Sequence, residues 1–158
     1  MKFTVKQKIM AFGKQYRAFD ESENQVYEIK SMLLSPERRK EVMDMEGNIV
    51  AWSEWPLMSR QASLRAGTES CTIAIPIMSI VPEWQGSQWK NGFSVKGDFF
   101  RMSFTVSEAG VTLATIVKRI IEFSDTYDVE VNETEFPKEF ALLIAALIDH
   151  KYHSEENR

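Results

Sequence analysis

The run Phe140-Ala141-Leu142-Leu143-Ile144-Ala145-Ala146-Leu147-Ile148 is apolar without a break, and it narrows the possible folds more than any other stretch of the chain. Leu and Ala dominate it and no Val or Thr interrupts it, which favours helix over strand. Pro137 suits a first helical turn. Glu133, Glu135 and Glu139 stand at its start and His150, Lys151 and His153 at its end, the order that the helix dipole favours. A helix apolar on every side must be covered on every side. These nine residues are too few to cross a bilayer, which takes about 20. A flat sheet covers one side of a helix, whereas a sheet curled into a closed wall covers all of them. Lengths agree: a helix from Pro137 to Lys151 is roughly 22 Å long, and a six-residue strand spans about 20 Å. The expected architecture is therefore a barrel threaded by this helix. The alternatives are a helix laid between two sheets or one docked on a partner.

Before the helix the chain reads as short strands. Phe3, Val5 and Ile9 alternate with Lys2, Thr4, Lys6 and Lys8. Met102, Phe104 and Val106 alternate with Arg101, Ser103, Thr105 and Ser107, and Tyr127, Val129 and Val131 with Asp128, Glu130 and Asn132. Period two marks strands with one dry and one wet face. Turn signals recur at residues 20–24 and 44–48 and at Ala66-Gly67, Gly86-Ser87, Asn91-Gly92, Gly97-Asp98 and Ala109-Gly110. Short strands between frequent turns indicate a sandwich or a barrel.

The chain has 158 residues, 44% apolar and 27% charged, an ordinary globular balance for one domain. A single domain over residues 1–153 and a disordered tail over 154–158 are expected. The net charge of -4 is unevenly spread: residues 1–65 carry 11 basic and 9 acidic side chains, residues 66–158 carry 8 and 14. This gives no basic excess of the kind that nucleic-acid binding needs. The lone Cys71 cannot form an internal disulfide and fits a reducing compartment. No apolar leader opens the sequence and no stretch is long enough to span a bilayer. The expected location is the cytoplasm, peripheral to a membrane if lipid is bound.

Four stretches, in order, resemble the LURP-one-related family, the bacterial branch of the tubby-like C-terminal domains. They are Val5-Lys6-Gln7-Lys8-Ile9, the hairpin Tyr16…Asp20…Val26-Tyr27-Glu28-Ile29, residues 113–119 followed by 125–131, and the final helix ending in Ile148-Asp149-His150. Ser31 stands where a glycine is often found, and residues 52–89 match poorly. The resemblance implies an all-β fold with one central helix: a closed antiparallel barrel of about twelve strands around a buried hydrophobic C-terminal helix, in keeping with the filled interiors of small barrels. Tubby-like relatives include phosphoinositide-binding proteins and phospholipid scramblases. The resemblance implies no enzymatic activity, cofactor or functional residue.

Read by themselves, the residues suggest no catalytic centre. Cys71 lies in a strand-like run with no visible base and reads as a small core residue. His150 and His153 have the i, i+3 spacing that can share a metal, but they also suit a helix C-terminus, and no further ligand is apparent. No metal and no cofactor are expected. Lys6, Lys8, Lys14, Arg17, Arg38, Arg39 and Lys40 are the candidate lipid or phosphate ligands if they share one surface; otherwise they are a solvated strand exterior. Trp84 and Trp89 bracket what reads as a hairpin tip, where exposed indoles would offer a protein-interaction surface. The resulting expectation is a non-enzymatic binding or scaffold module, with anionic phospholipids or a protein as partner. The alternative is a small-molecule carrier or enzyme with a pocket at a barrel mouth, where Asp149, His150 and Glu139 are the nameable polar groups.

Overall fold

The computed structural model of the protein describes residues 1–10, 13–32, 34–119 and 125–153; the tail 154–158 lies outside the described residues. Twelve strands run in chain order: β1 (Lys2–Met10), β2 (Gly13–Phe19), β3 (Gln25–Ser31), β4 (Lys40–Asp44), β5 (Ile49–Glu54), β6 (Gln61–Ala66), β7 (Glu69–Ala74), β8 (Glu83–Ser87), β9 (Phe93–Gly97), β10 (Ser103–Glu108), β11 (Val111–Arg119) and β12 (Thr126–Val131). Each pairs antiparallel with the next, and β12 returns to β1 with Phe3 opposite Val129 and Val5 opposite Tyr127. The sheet has no free edge, so no row of unpaired backbone groups is left to template aggregation. Helix α1 (Lys138–Ile148) threads the barrel and continues as a π-helical turn over Asp149–His153.

Alternation along each strand sends the apolar set inward. In β6, Ala62, Leu64 and Ala66 are buried while Gln61, Ser63 and Arg65 are exposed. Small residues on the wall (Ala18, Ala51, Ala62 and Ala114) leave room for the Leu, Ile and Phe side chains of α1. Every residue from Phe140 to Ile148 is buried, Ile144 and Leu147 completely. The threaded barrel expected from the helix is what forms.

Up-and-down topology sorts the connections between two ends. At the end where α1 starts, the turns are tight. Asp20 and Asp44 build the same one: each Oδ1 accepts from the backbone N–H groups two and four residues on, at 2.9 Å. At the end where α1 stops lie, among others, the loops 32–39, 55–60, 75–82 and 98–102, the first three of them longer than any turn at the opposite end.

Two expectations are corrected here. Gly86-Ser87 is not a turn but the end of β8, and the turn falls at residues 88–92. Trp84 and Trp89 do not form an exposed surface: they are 1% and 5% exposed. Trp84 points inward from β8 and donates Nε1–H to Tyr152 Oη at 3.0 Å. Trp89 packs edge-on against Phe93 and Phe136 and donates to Glu69. Gly86 has no side chain because the Phe93 ring occupies the place, within 2.3 Å of where a Cβ would stand.

Candidate functional site

The apolar helix stops at a charge. Asp149 follows the last buried apolar residue and is itself fully buried. An isolated buried carboxylate is costly unless paired and hydrogen-bonded. Here the wall supplies three donors: Tyr16 Oη of β2 at 2.5 Å, Tyr127 Oη of β12 at 2.7 Å and Lys14 Nζ at 3.2 Å. Strand alternation places Lys14 and Tyr16 on the same inner face of β2. With its amide oriented to satisfy both neighbours, Gln7 accepts from Lys14 and donates to Asp125. Burial pushes the Asp149 carboxyl up, but Lys14 and the two tyrosine hydroxyls reverse this and hold it below the usual carboxylate range. The Tyr16 and Tyr127 hydroxyls move the other way, raised by burial and by the Asp149 charge.

Beside this knot lies a buried amine. Lys40, at the start of β4, is 1% exposed; its Nζ meets Ser31 Oγ at 2.8 Å and His150 Nδ1 at 3.0 Å. Burial lowers its pKa to about 7, with Asp149 partly opposing. Burial, and then the Lys40 charge, lower that of His150 to about 3, so the imidazole is neutral and its Nδ1 accepts when Lys40 is protonated. Because the folded-state pKa of Lys40 lies below the unfolded value of about 10.4, the unfolded chain binds more protons between the two. Stability should therefore rise with pH from about 7 to about 10. Lys40→Met is expected to flatten that rise, whatever it does to absolute stability. Urea unfolding of both proteins at pH 7, 8.5 and 10 measures it; parallel slopes would refute the assignment.

The seven candidate basic residues do not form one patch. Lys6, Lys8 and Arg17 project from the outer face of β1 and β2, with Lys6 directly opposite Arg17, and Lys30 of β3 joins them across Gln15. Lys14 and Lys40 turn inward and serve the Asp149–His150 network, so Lys40 cannot meet an external headgroup. Arg38 stacks on Trp55 and donates to the carbonyls of Trp55 and Pro56. Arg39 forms ion pairs with Glu41 and Glu54.

The two barrel ends differ in chemistry. At the end where α1 starts, a groove of about 630 Å³ is lined by Trp52, Glu69, Lys90, Glu133, Glu135 and Glu139 among others. The turns there also carry Asp20, Glu21, Glu23, Asp44 and Glu46. The groove reaches Glu139, but Asp149 and His150 lie at the opposite end, about 15 Å along the helix. The three polar groups named for a barrel-mouth pocket therefore do not converge. At the end where α1 stops, the loops 32–39, 55–60, 75–82 and 98–102 hold ten of the fifteen exposed large apolar side chains among the described residues.

The remaining candidates are placed in the wall and the helix end. Cys71 is buried in β7, and burial pushes its thiol up to about 12. His150 faces Lys40 whereas His153 Nε2 meets the Arg101 carbonyl at 2.7 Å, so the two imidazoles are engaged separately. Among the described residues no group of three His, Cys, Asp or Glu side chains is placed to hold a metal. Among them also, no helix is long and apolar enough to cross a membrane.

A closed twelve-stranded antiparallel barrel wound round a C-terminal apolar helix is the tubby-like architecture. Within that class the chain belongs to the LURP-one-related family, which it matches over residues 1–149. An X-ray structure of a protein from Arabidopsis thaliana is similar, with a TM-score of 0.56 at 15% identity over 93% of this chain and 88% of that one, a likeness of fold. Among curated proteins none matches the sequence.

Proposed function

We propose that this chain is a non-enzymatic binding module that associates with anionic phospholipid headgroups. The observation that carries the reading is the outer face of β1–β3, where Lys6, Lys8, Arg17 and Lys30 project from adjacent strands of an otherwise acidic protein. A cation near an anionic bilayer contributes about 1 kcal/mol, so four on one face suit reversible attachment. The non-enzymatic part of the reading is supported by the engagement of the ionisable groups at the helix end. Asp149 is bonded to Lys14, Tyr16 and Tyr127 of the wall, and Lys40 to Ser31 and His150.

Co-sedimentation with phosphatidylserine-containing and pure phosphatidylcholine vesicles tests the reading. The protein should pellet with the anionic vesicles, and salt should release it. The triple variant Lys6→Gln, Lys8→Gln, Arg17→Gln should bind about 100-fold more weakly. Equal and negligible pelleting with both vesicles would overturn it.

A further inference from the structure

We propose that the end of the barrel where α1 stops is a membrane-insertion surface, so that the protein stands end-on on an anionic bilayer with four loop tips in the interface. The inference rests on the headgroup reading above and adds a contact of a different kind. It starts from where the exposed apolar side chains lie. Leu34, Met58, Met78, Ile80 and Phe100 are 86%, 100%, 88%, 80% and 76% exposed, and Met32, Leu57, Ile77, Val81 and Phe99 stand out beside them. All ten are in loops 32–39, 55–60, 75–82 and 98–102, which antiparallel topology gathers at one end. So large a group of solvated apolar side chains on one face marks a contact surface.

The loops are braced to hold these side chains outward. Trp55 Nε1 donates to the Ser59 carbonyl at 2.8 Å, and Arg38 Nε to the Trp55 carbonyl at 2.8 Å, which ties loop 32–39 to loop 55–60. Arg101 reaches the Ser79 carbonyl at 3.2 Å, linking loops 75–82 and 98–102. Met58, Arg38 and Arg101 hold left-handed backbone conformations (φ +66°, +45° and +58°). Such conformations are unfavourable for residues with a Cβ and persist where the surroundings impose them.

Charge identifies the partner. The four loops carry Arg38, Arg60 and Arg101, and Arg39 paired with Glu41 and Glu54, against Glu37 and Asp98, whereas the turns and helix start at the other end are dominated by Asp and Glu. The barrel is thus an electric dipole along its axis, and an anionic surface attracts the apolar end. Arg38 and Arg101 are held against the rings of Trp55 and Tyr152 at the barrel mouth, while the apolar tips project. Apolar tips bordered by cations match a bilayer interface, which combines burial with headgroup attraction. Lys8 and Lys30 lie near the ends of β1 and β3 at this same rim, so the wall cations continue the surface.

The test uses the full chain with Met78→Cys carrying an environment-sensitive fluorophore; the buried Cys71 leaves the new thiol as the labelling site. On phosphatidylserine-containing vesicles the emission should shift to the blue and be quenched by brominated acyl chains, while the same label at Ser22→Cys, at the other end, stays aqueous. The variant Met58→Ser, Met78→Ser, Ile80→Ser, Phe100→Ser should keep the parent melting temperature and bind about tenfold or more weakly. Pelleting with an aqueous label at residue 78 overturns the insertion surface and leaves the headgroup reading standing. Failure to pellet at all overturns both. Concentration-dependent dimerisation that the serine variant abolishes, with the vesicle label still aqueous, assigns the surface to a second copy and also overturns the proposal.

Discussion

Ile144→Asp is expected to abolish the cooperative thermal transition of this protein. Ile144 is completely buried in a helix whose every residue from Phe140 to Ile148 is surrounded by strands. Burying one large apolar side chain contributes about 1.5–3 kcal/mol. Phe140, Leu142, Leu143, Ile144, Leu147 and Ile148 together contribute on the order of 10 kcal/mol, an upper figure because unfolded chains are partly compact. This is comparable to the whole stability of a typical domain, about 5–15 kcal/mol. An aspartate at the centre of α1 removes one of these contributions and places a carboxylate on a fully buried, apolar stretch of helix, where an unpaired charge is costly. The tyrosine hydroxyls and lysine that hold a buried carboxylate in this protein are at the end of the helix, around Asp149, five residues further on. Ile144→Val, which removes one methylene, should cost about 0.5–1.5 kcal/mol and keep a single transition. Circular dichroism melts of the three proteins decide the matter. An Ile144→Asp protein that melts near the parent temperature would refute the role of this helix as the core.

The helix was the most legible element because its constraint is global: an unbroken apolar surface requires a covering on all sides. The strands were legible where alternation is clean, as in Tyr127, Val129 and Val131, all inward in β12. Alternation also explains the misreadings. Trp84 and Gly86 share the inner face of β8, but glycine reads as a turn signal when the Phe93 ring that replaces its side chain comes from the neighbouring strand. Arg38-Arg39-Lys40 reads as one basic cluster, yet a left-handed turn at Arg38 and the inward register of β4 send its three side chains to three places. The loop apolar residues were missed for another reason. Composition cannot separate an exposed Met or Phe from a core one, and only the sorting of loops to one end turns scattered residues into a surface. The knot around Asp149 had no local signal, because its partners Lys14 and Tyr16 are more than 130 residues away in sequence.

That knot leads to the second large effect. Asp149→Ala is expected to destabilise the protein by about 3–5 kcal/mol, the usual consequence of removing one partner from a buried ion pair. The loss does not come from the aspartate alone. Its removal leaves the Tyr16 and Tyr127 hydroxyls, in residues only 1% exposed, without their acceptor, and leaves Lys14 without its counter-charge. It also withdraws the charge that opposes the lowering of the Lys40 pKa. For a chain of this length the melting temperature should fall by roughly 10 °C. The pH dependence separates this mechanism from a simple packing defect. The Asp149 carboxyl is held below its ordinary range in the folded protein, so its contribution is present above the unfolded value of about 3.9 and is lost as pH falls through the folded one. The gap between wild type and Asp149→Ala should therefore be widest near neutrality and narrow below about pH 4. A gap that stays constant down to the acid limit would mean that the side chain fills space without acting as a charge. A gap that closes in acid means that the apolar helix is fixed in its barrel by an ionised group, which joins α1 to β2 and β12 where burial of apolar surface ends.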